Sequence, residues 1–480
     1  MFIRFTKNDF FVTMRNIGII LMWSSLTFLL PIFASFYYKE PLTVSINYLL
    51  CGIIALMLGF FLKILFKSDK ELETKHAYVA ISILWILYTA IAALPFVLIH
   101  NANFVDAFFE SMSAITTTGL TILPNIDNMV FSLLFWRSLI SWIGGIGIVV
   151  IVMVGLLTAY TKAAKLLSAE GRQERIKPNI KNTAKEMILI YLFLTFVGTT
   201  LLIAGGMRPF FALNYAMSAI STTGFDLTKA GLTVAHNWLI DASLILIMIM
   251  GATSFYTHYF ILRRKNLEIF IKDREFQLML LLAFISAFLL LTKFEFLKAL
   301  FYTTSAITCG GFALDLPKII AQWEDWVKFT LILLMLIGGS AGSTAGGIKL
   351  SRFWLFLKSI YWKIKEAILP KGTYFAKKFE DIVVSNEEIA EIHQFILLYI
   401  LLIFIGSFVL TLCGYNLSDS LFEVVSAQGN AGISAGVTNV NMPLGAKIML
   451  IINMWFGRLE IIPILSLIGL GLSAAKGKVF

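Results

Sequence analysis

Ten apolar runs of membrane-spanning length succeed one another along this chain, near residues 17–36, 49–66, 77–99, 130–157, 187–206, 237–261, 276–292, 327–357, 391–414 and 444–475. About 20 apolar residues cross roughly 30 Å of hydrocarbon, so each run predicts a transmembrane helix. The first is too long for the apolar core of a signal peptide and is soon followed by another span, which predicts a retained helix. Four shorter apolar pieces, near 104–115, 209–220, 296–307 and 418–428, cannot cross and predict re-entrant half-helices. Each runs into a version of one loop: SAITTTGL from Ser113 to Leu120, SAISTTGF from Ser218 to Phe225, SAITCGGF from Ser305 to Phe312, and SAQGNAGI from Ser426 to Ile433. The kinship extends back into the half-helices, where Glu110, Tyr215, Tyr302 and Glu423 all stand three residues before the repeated serine.

Four copies of one loop in one chain predict a pseudo-fourfold pore. A dehydrated cation needs oxygens in place of its water shell, and backbone carbonyls from short loops around an axis supply them. Irregular backbone at membrane depth is tolerated where protein buries it or water reaches it, and glycine permits the dihedrals that turn carbonyls toward an axis. The candidate ion-binding positions are Thr117, Thr118 and Gly119 in the first loop, Thr222, Thr223 and Gly224 in the second, Cys309, Gly310 and Gly311 in the third, and Asn430, Ala431 and Gly432 in the fourth. The threonine hydroxyls offer extra ligands. The plainer alternative is a set of helix-capping turns, since Ser/Thr/Gly clusters are ordinary turns; recurrence at four corresponding places argues for a shared role.

Composition agrees: 58% of residues are hydrophobic and 14% charged, the balance of an integral membrane protein. The expected fold is an all-α polytopic membrane protein. Two leading helices (residues 1–70) precede four units of helix, pore half-helix, loop and helix, at 71–160, 161–262, 263–365 and 366–480. The net charge of +10 would suggest nucleic acid in a soluble chain, but its distribution points elsewhere. Most of the 39 Lys and Arg fall in the termini and in loops 67–76, 158–186, 262–275 and 352–390, which an even number of spans places on one side. The positive-inside rule makes that side cytoplasmic, with both termini, and brings the repeated loops in from outside. Topology and anionic lipid headgroups account for the basic loops without a nucleic-acid partner. Cys51, Cys309 and Cys413 lack the spacing of a zinc site or a disulfide framework.

Two features lie inside the spans. Gly338, Gly339, Ser340, Ala341, Gly342, Ser343, Thr344, Ala345, Gly346 and Gly347 form a run of small residues within one apolar segment. Each glycine costs a helix about 1 kcal/mol relative to alanine, so the helix is expected to break there. The run reads either as a mobile gate beneath the third loop or as a close helix–helix contact. Arg458 stands within the last span, where a charge costs on the order of 3 kcal/mol and demands a partner or a wet cavity. It reads either as a fixed positive charge in the ion path or as a tie to a carbonyl or carboxylate. Glu460, two residues on, points in a different direction on a helix. Arg137, followed by Trp142 and Gly144, Gly145 and Gly147, reads as a brace for a half-helix.

On the four loops, WIGGIGI at Trp142 to Ile148, GGSAGSTAGGIK at Gly338 to Lys349 and GRLE at Gly457 to Glu460, the chain resembles the Trk/Ktr/HKT superfamily of potassium transporters over essentially its whole length. The leading helices and the GRLE arginine make it most similar to the TrkH-type branch. The resemblance implies gated, filter-mediated K+ uptake across a bacterial inner membrane, with no covalent cofactor, K+ as the transported ion and Rb+ or Na+ as further ions. It also implies a homodimer with one pore per protomer, gated by a cytosolic, nucleotide-binding, TrkA-like subunit docked on the basic face among membrane lipids. On the same ground Gly338 to Gly347 is expected to be the gate and Arg458 to face the pore. The third and fourth loops depart from the threonine pattern, and one aligned glycine per loop predicts fewer stacked sites than the longer filter of potassium channels. An ion-coupled symporter is the alternative, since a broken helix suits one, yet intramembrane carboxylate or histidine relays are sparse. No cluster of nucleophile, base and metal ligands marks an enzyme.

Overall fold

The first helix, Lys7–Ser24, begins at a capping box in which Thr6 and Asp9 satisfy each other's backbone amides. In this computed structural model the described residues are 5–68, 71–147, 180–235, 237–265, 268–370, 376–379 and 382–475. The inner end of the expected span 130–157, most of the basic loop 158–186 and the tail 476–480 lie outside them. Among the described residues, five helices are long and apolar enough to cross a membrane: Lys7–Tyr37, Leu42–Leu65, Thr74–His100, Asn182–Ala204 and Asn386–Leu412. Their outward faces carry exposed Phe33, Phe60, Phe196, Phe404 and Phe408, side chains that suit hydrocarbon. The protein is an all-α polytopic membrane protein; a two-residue antiparallel pair, Lys378–Phe379 with Ile382–Val383, is a small addition to the expected fold.

Two expected spans are bent. Trp238–Ala252 turns by 101° into Phe255–Arg264, and Leu444–Arg458 turns by 116° into Ile462–Leu472. The expected break in the third unit is present, with Asp325–Ile337 and Leu350–Ile368 on either side of the small-residue run.

The four half-helices are Phe104–Ile115, Pro209–Ile220, Phe296–Ile307 and Leu417–Gln428, as their length predicts. Each packs on the second helix of the preceding unit: Pro209–Ile220 on Phe131–Ile146, Phe296–Ile307 on Trp238–Ala252, Leu417–Gln428 on Asp325–Ile337, and Phe104–Ile115 on Leu444–Arg458. The last contact closes the ring. Close approach is possible because glycines face the half-helix ends. A Cβ on Gly144 would overlap the Ile115 carbonyl, one on Gly457 the Gln428 carbonyl.

Candidate ion-conduction site

All four half-helices end the same way. Thr117, Thr222, Cys309 and Asn430 adopt left-handed backbone with φ of 57°, 56°, 53° and 51°. The next amides reach back to the repeated serine carbonyl: Thr118 to Ser113 at 2.8 Å, Thr223 to Ser218 at 2.9 Å, Gly310 to Ser305 at 2.7 Å and Ala431 to Ser426 at 2.8 Å. These are Schellman-type caps, which stop the helix and start an extended strand. The capping-turn alternative thus describes the entry to each loop. Beyond the cap, the aligned glycines take positive φ of 91° (Gly119), 81° (Gly224), 78° (Gly311) and 88° (Gly432). This second reversal is available to glycine at little strain.

The reversal brings the loops against one another in a closed circle. The Gly119 Cα lies beside the Thr223 carbonyl, Gly224 beside the Gly310 carbonyl, Gly311 beside the Ala431 carbonyl and Gly432 beside the Thr118 carbonyl. Carbonyls of four loops therefore converge where four helix C-termini, each carrying a partial negative charge of about half an electron, also point. That is a cation-binding geometry.

Side chains of the loops also bind one another. The Thr117 hydroxyl accepts from Arg458 at 3.2 Å, Thr222 donates to the Ser221 carbonyl at 2.6 Å, Thr118 bonds Thr116 at 2.9 Å and Thr223 bonds Ser221 at 2.7 Å. Asn430 donates to the Thr118 hydroxyl at 3.0 Å and to the Met454 carbonyl at 3.1 Å. The hydroxyls hold the loops together. Hence Cys309, Gly310 and Ala431 can stand where other loops have threonine without opening the carbonyl circle.

Against the half-helix ends lies the small-residue run. Its ends touch, with Lys349 N–H on the Ile337 carbonyl at 2.9 Å and Leu350 N–H on the Gly339 carbonyl at 3.0 Å. Its body crosses between units. Ser340 and Thr344 amides donate to the Ala252 and Gly251 carbonyls at 3.1 and 3.2 Å. The Thr344 hydroxyl lies 2.9 Å from the Ile220 carbonyl and 2.8 Å from that of Gly251. These bonds supply the helix ending at Ala252 with donors for its last carbonyls, and Phe255 N–H closes the bend on the Gly342 carbonyl at 3.1 Å. On the other side, Gly346 abuts the Gly429 carbonyl.

Half-buried Arg458 ties this loop to the first unit. It donates to the Thr344 carbonyl at 2.9 Å, to the Gly144 and Gly145 carbonyls at 2.6 and 3.1 Å, and to Thr117. It is thus bound to carbonyls of two units and to Thr117 of the first loop. Glu460 pairs with Arg352 at 2.5 Å, leaving Arg458 to the carbonyls. Sequence reading missed Glu275, whose carboxylate accepts from the Ala341 amide at 2.7 Å; it lies far from the loop in sequence and no motif marks it.

In the first unit Arg137 is fully buried against Glu110, Nη2 to Oε1 at 2.7 Å, and donates to the Asp226 carbonyl at 2.9 Å. It braces the first half-helix and reaches the second unit. Arg137→Ala strands a buried carboxylate, so stability should fall by about 3–5 kcal/mol. Thermal unfolding in detergent checks this, and adding Glu110→Gln should recover part of the loss.

The fold and this site define an all-α polytopic membrane protein whose four half-helix loops meet in one circle of backbone carbonyls. The model of the TrkH family of cation transport proteins matches residues 45–297 and 292–470. An uncharacterized cation transporter of Methanocaldococcus jannaschii is 37% identical over 97% of this chain and 96% of its own length. The Trk system potassium uptake protein TrkH of Salmonella typhimurium is 28% identical, covering 94% of this chain and 97% of its own. The crystal structure of the potassium transporter TrkH from Vibrio parahaemolyticus superposes with a TM-score of 0.83 at 26% identity, covering 95% of this chain and 98% of that one. The chain belongs to the TrkH family, whose members are transporters rather than enzymes.

Proposed function

We propose that this protein carries K+ passively through a gated pore whose selectivity filter is the circle of loop carbonyls at Thr118, Thr223, Gly310 and Ala431. The observation that carries the reading is the ring contact itself, in which each aligned glycine seats the carbonyl of a neighbouring loop. Backbone oxygens held by caps and hydroxyl bonds stay fixed when an ion leaves, which favours an ion whose shell they replace. Rb+ would pass similarly, and Na+ less well. Under this reading the four units act as quarters of one pore, in a homodimer whose cytosolic basic face receives a nucleotide-binding, TrkA-like subunit, with both termini in the cytoplasm.

The gate is the loop from Gly338 to Gly347 with Arg458. Its support is position: the loop crosses from Gly251 to Gly429 beneath the half-helix ends, and Arg458 fastens it to the first unit. Deleting Ser340 to Ala345 shortens the loop while its touching ends stay in place, so Rb+ uptake into proteoliposomes without any cytosolic subunit should rise. An unchanged or lower uptake by a folded deletion variant would favour a packing role. The buried carboxylates Glu110 and Glu423 have protein partners of their own, so coupled proton transport draws no support from them.

A further inference from the structure

The residues three before each repeated serine hold a second fourfold pattern, away from the carbonyl circle. Glu110, Tyr215, Tyr302 and Glu423 are buried and direct their terminal oxygens at the strand that leaves each loop. Glu110 accepts from the Ile122 amide at 3.3 Å, Tyr302 from Leu314 at 3.0 Å and Glu423 from Ala435 at 2.9 Å, in each case twelve residues along. The Leu227 amide holds the same place on Tyr215. Beside that bond every unit sets one carboxylate against one hydroxyl. Glu110 accepts from Thr121 at 3.0 Å and Glu423 from Ser434 at 2.8 Å. In the middle units the roles are exchanged: the Tyr215 hydroxyl donates to Asp226 at 3.0 Å and that of Tyr302 to Asp315 at 3.0 Å.

Donor and acceptor change places between units while the amide contact is kept; the side-chain partner stands eleven residues along in three units and thirteen along, at Asp315, in the third. Packing alone does not ask for this, since tyrosine and glutamate differ greatly in shape. What the four share is a polar atom at the same height, holding the same amide. The inner end of each loop is fixed by its cap, so this bridge fixes the outer end. Between the two anchors the strand has little freedom to draw inward around a smaller ion.

We infer that Glu110, Tyr215, Tyr302 and Glu423 are positioning residues that staple each outgoing strand to its half-helix and thereby set the ion preference of the carbonyl circle. This rests on the filter reading above. The assignment predicts that removing one staple relaxes one strand, so that the smaller ion is accepted more readily while the path stays open. None of the four touches an ion.

The test uses two nearly isosteric variants, Tyr302→Phe and Glu423→Gln. The first removes one hydroxyl and leaves Asp315 on Lys298, 2.7 Å away; the second leaves one of the two backbone amides that Glu423 accepts from, Ala435 or Thr438, facing an amide nitrogen. Tyr399→Phe is the control, since its buried hydroxyl has no hydrogen-bond partner among the described residues. Rb+ uptake into proteoliposomes is measured against rising Na+, with expression and thermal midpoint read on the same preparations. Each staple variant should lower the Rb+ over Na+ preference by about three- to tenfold, the range of one lost hydrogen bond, and Tyr399→Phe should leave it alone. If one variant does not fold, the other decides. Preference retained in a folded staple variant, or Rb+ and Na+ flux lowered together, overturns the inference. Gly432→Ser separates the two levels: if it shifts preference and the staples do not, the filter stands and the staple falls; if it does not, both fall.

Discussion

Replacing Gly432 with serine is expected to remove most of the preference for K+ over Na+ while leaving a folded, membrane-inserted protein. Gly432 has φ of 88°, and a Cβ there would overlap the Thr118 carbonyl oxygen and lie 3.0 Å from that of Thr223. Backbone strain of this kind costs about 1–3 kcal/mol, and the carbonyls of two neighbouring loops must give way. Since 1.4 kcal/mol is a factor of ten, a fall of about tenfold or more in the ratio is expected. Gly224→Ser should act likewise through the Gly310 carbonyl. Rb+ uptake against competing Na+ measures the ratio; wild-type values in both folded variants would show that these loops do not select the ion.

Arg458→Gln should raise maximal uptake. A guanidinium about 6 Å from a permeating cation opposes it by roughly 3 kcal/mol at an effective dielectric of 20, which corresponds to about a hundredfold in rate at most. The substitution also frees the Thr344 carbonyl and with it the intramembrane loop. Stability should fall as well, because the Gly144 and Gly145 carbonyls lose a charged donor; hydrogen bonds to charged groups are worth about 1.5–3 kcal/mol. Flux and thermal midpoint read on one preparation separate the two roles. Lower stability without a gain in flux would make Arg458 a tie alone.

The parts of this architecture that were legible in the sequence are those set by length and repetition. A 12-residue apolar helix such as Phe104–Ile115 cannot cross a bilayer, and four related loops cannot be chance turns. The break after Ile337 was visible because ten small residues do not hold a helix. The bends at Ala252 and Arg458 were not, because they depend on distant partners. Carbonyls at the first are satisfied by Ser340 and Thr344 from another unit, and the second passes through Glu460 and Ile461 at φ of 56° and 68°. Pro463, just inside the helix that follows, is the one local signal of that second turn. The partners of the threonine hydroxyls were hidden for a related reason: Arg458, Asn430 and Thr116 meet them only once the chain is folded.

The central claim is passive, selective K+ flow through the carbonyl circle, and the reversal point of flux tests it most directly. Purified protein in liposomes with a fixed K+ gradient, set to a series of membrane potentials, should show net K+ flux changing sign at the K+ equilibrium potential. That point should stay put when a proton or Na+ gradient is imposed. A reversal point that moves with either gradient, or uptake that continues against the K+ electrochemical gradient, would contradict the account.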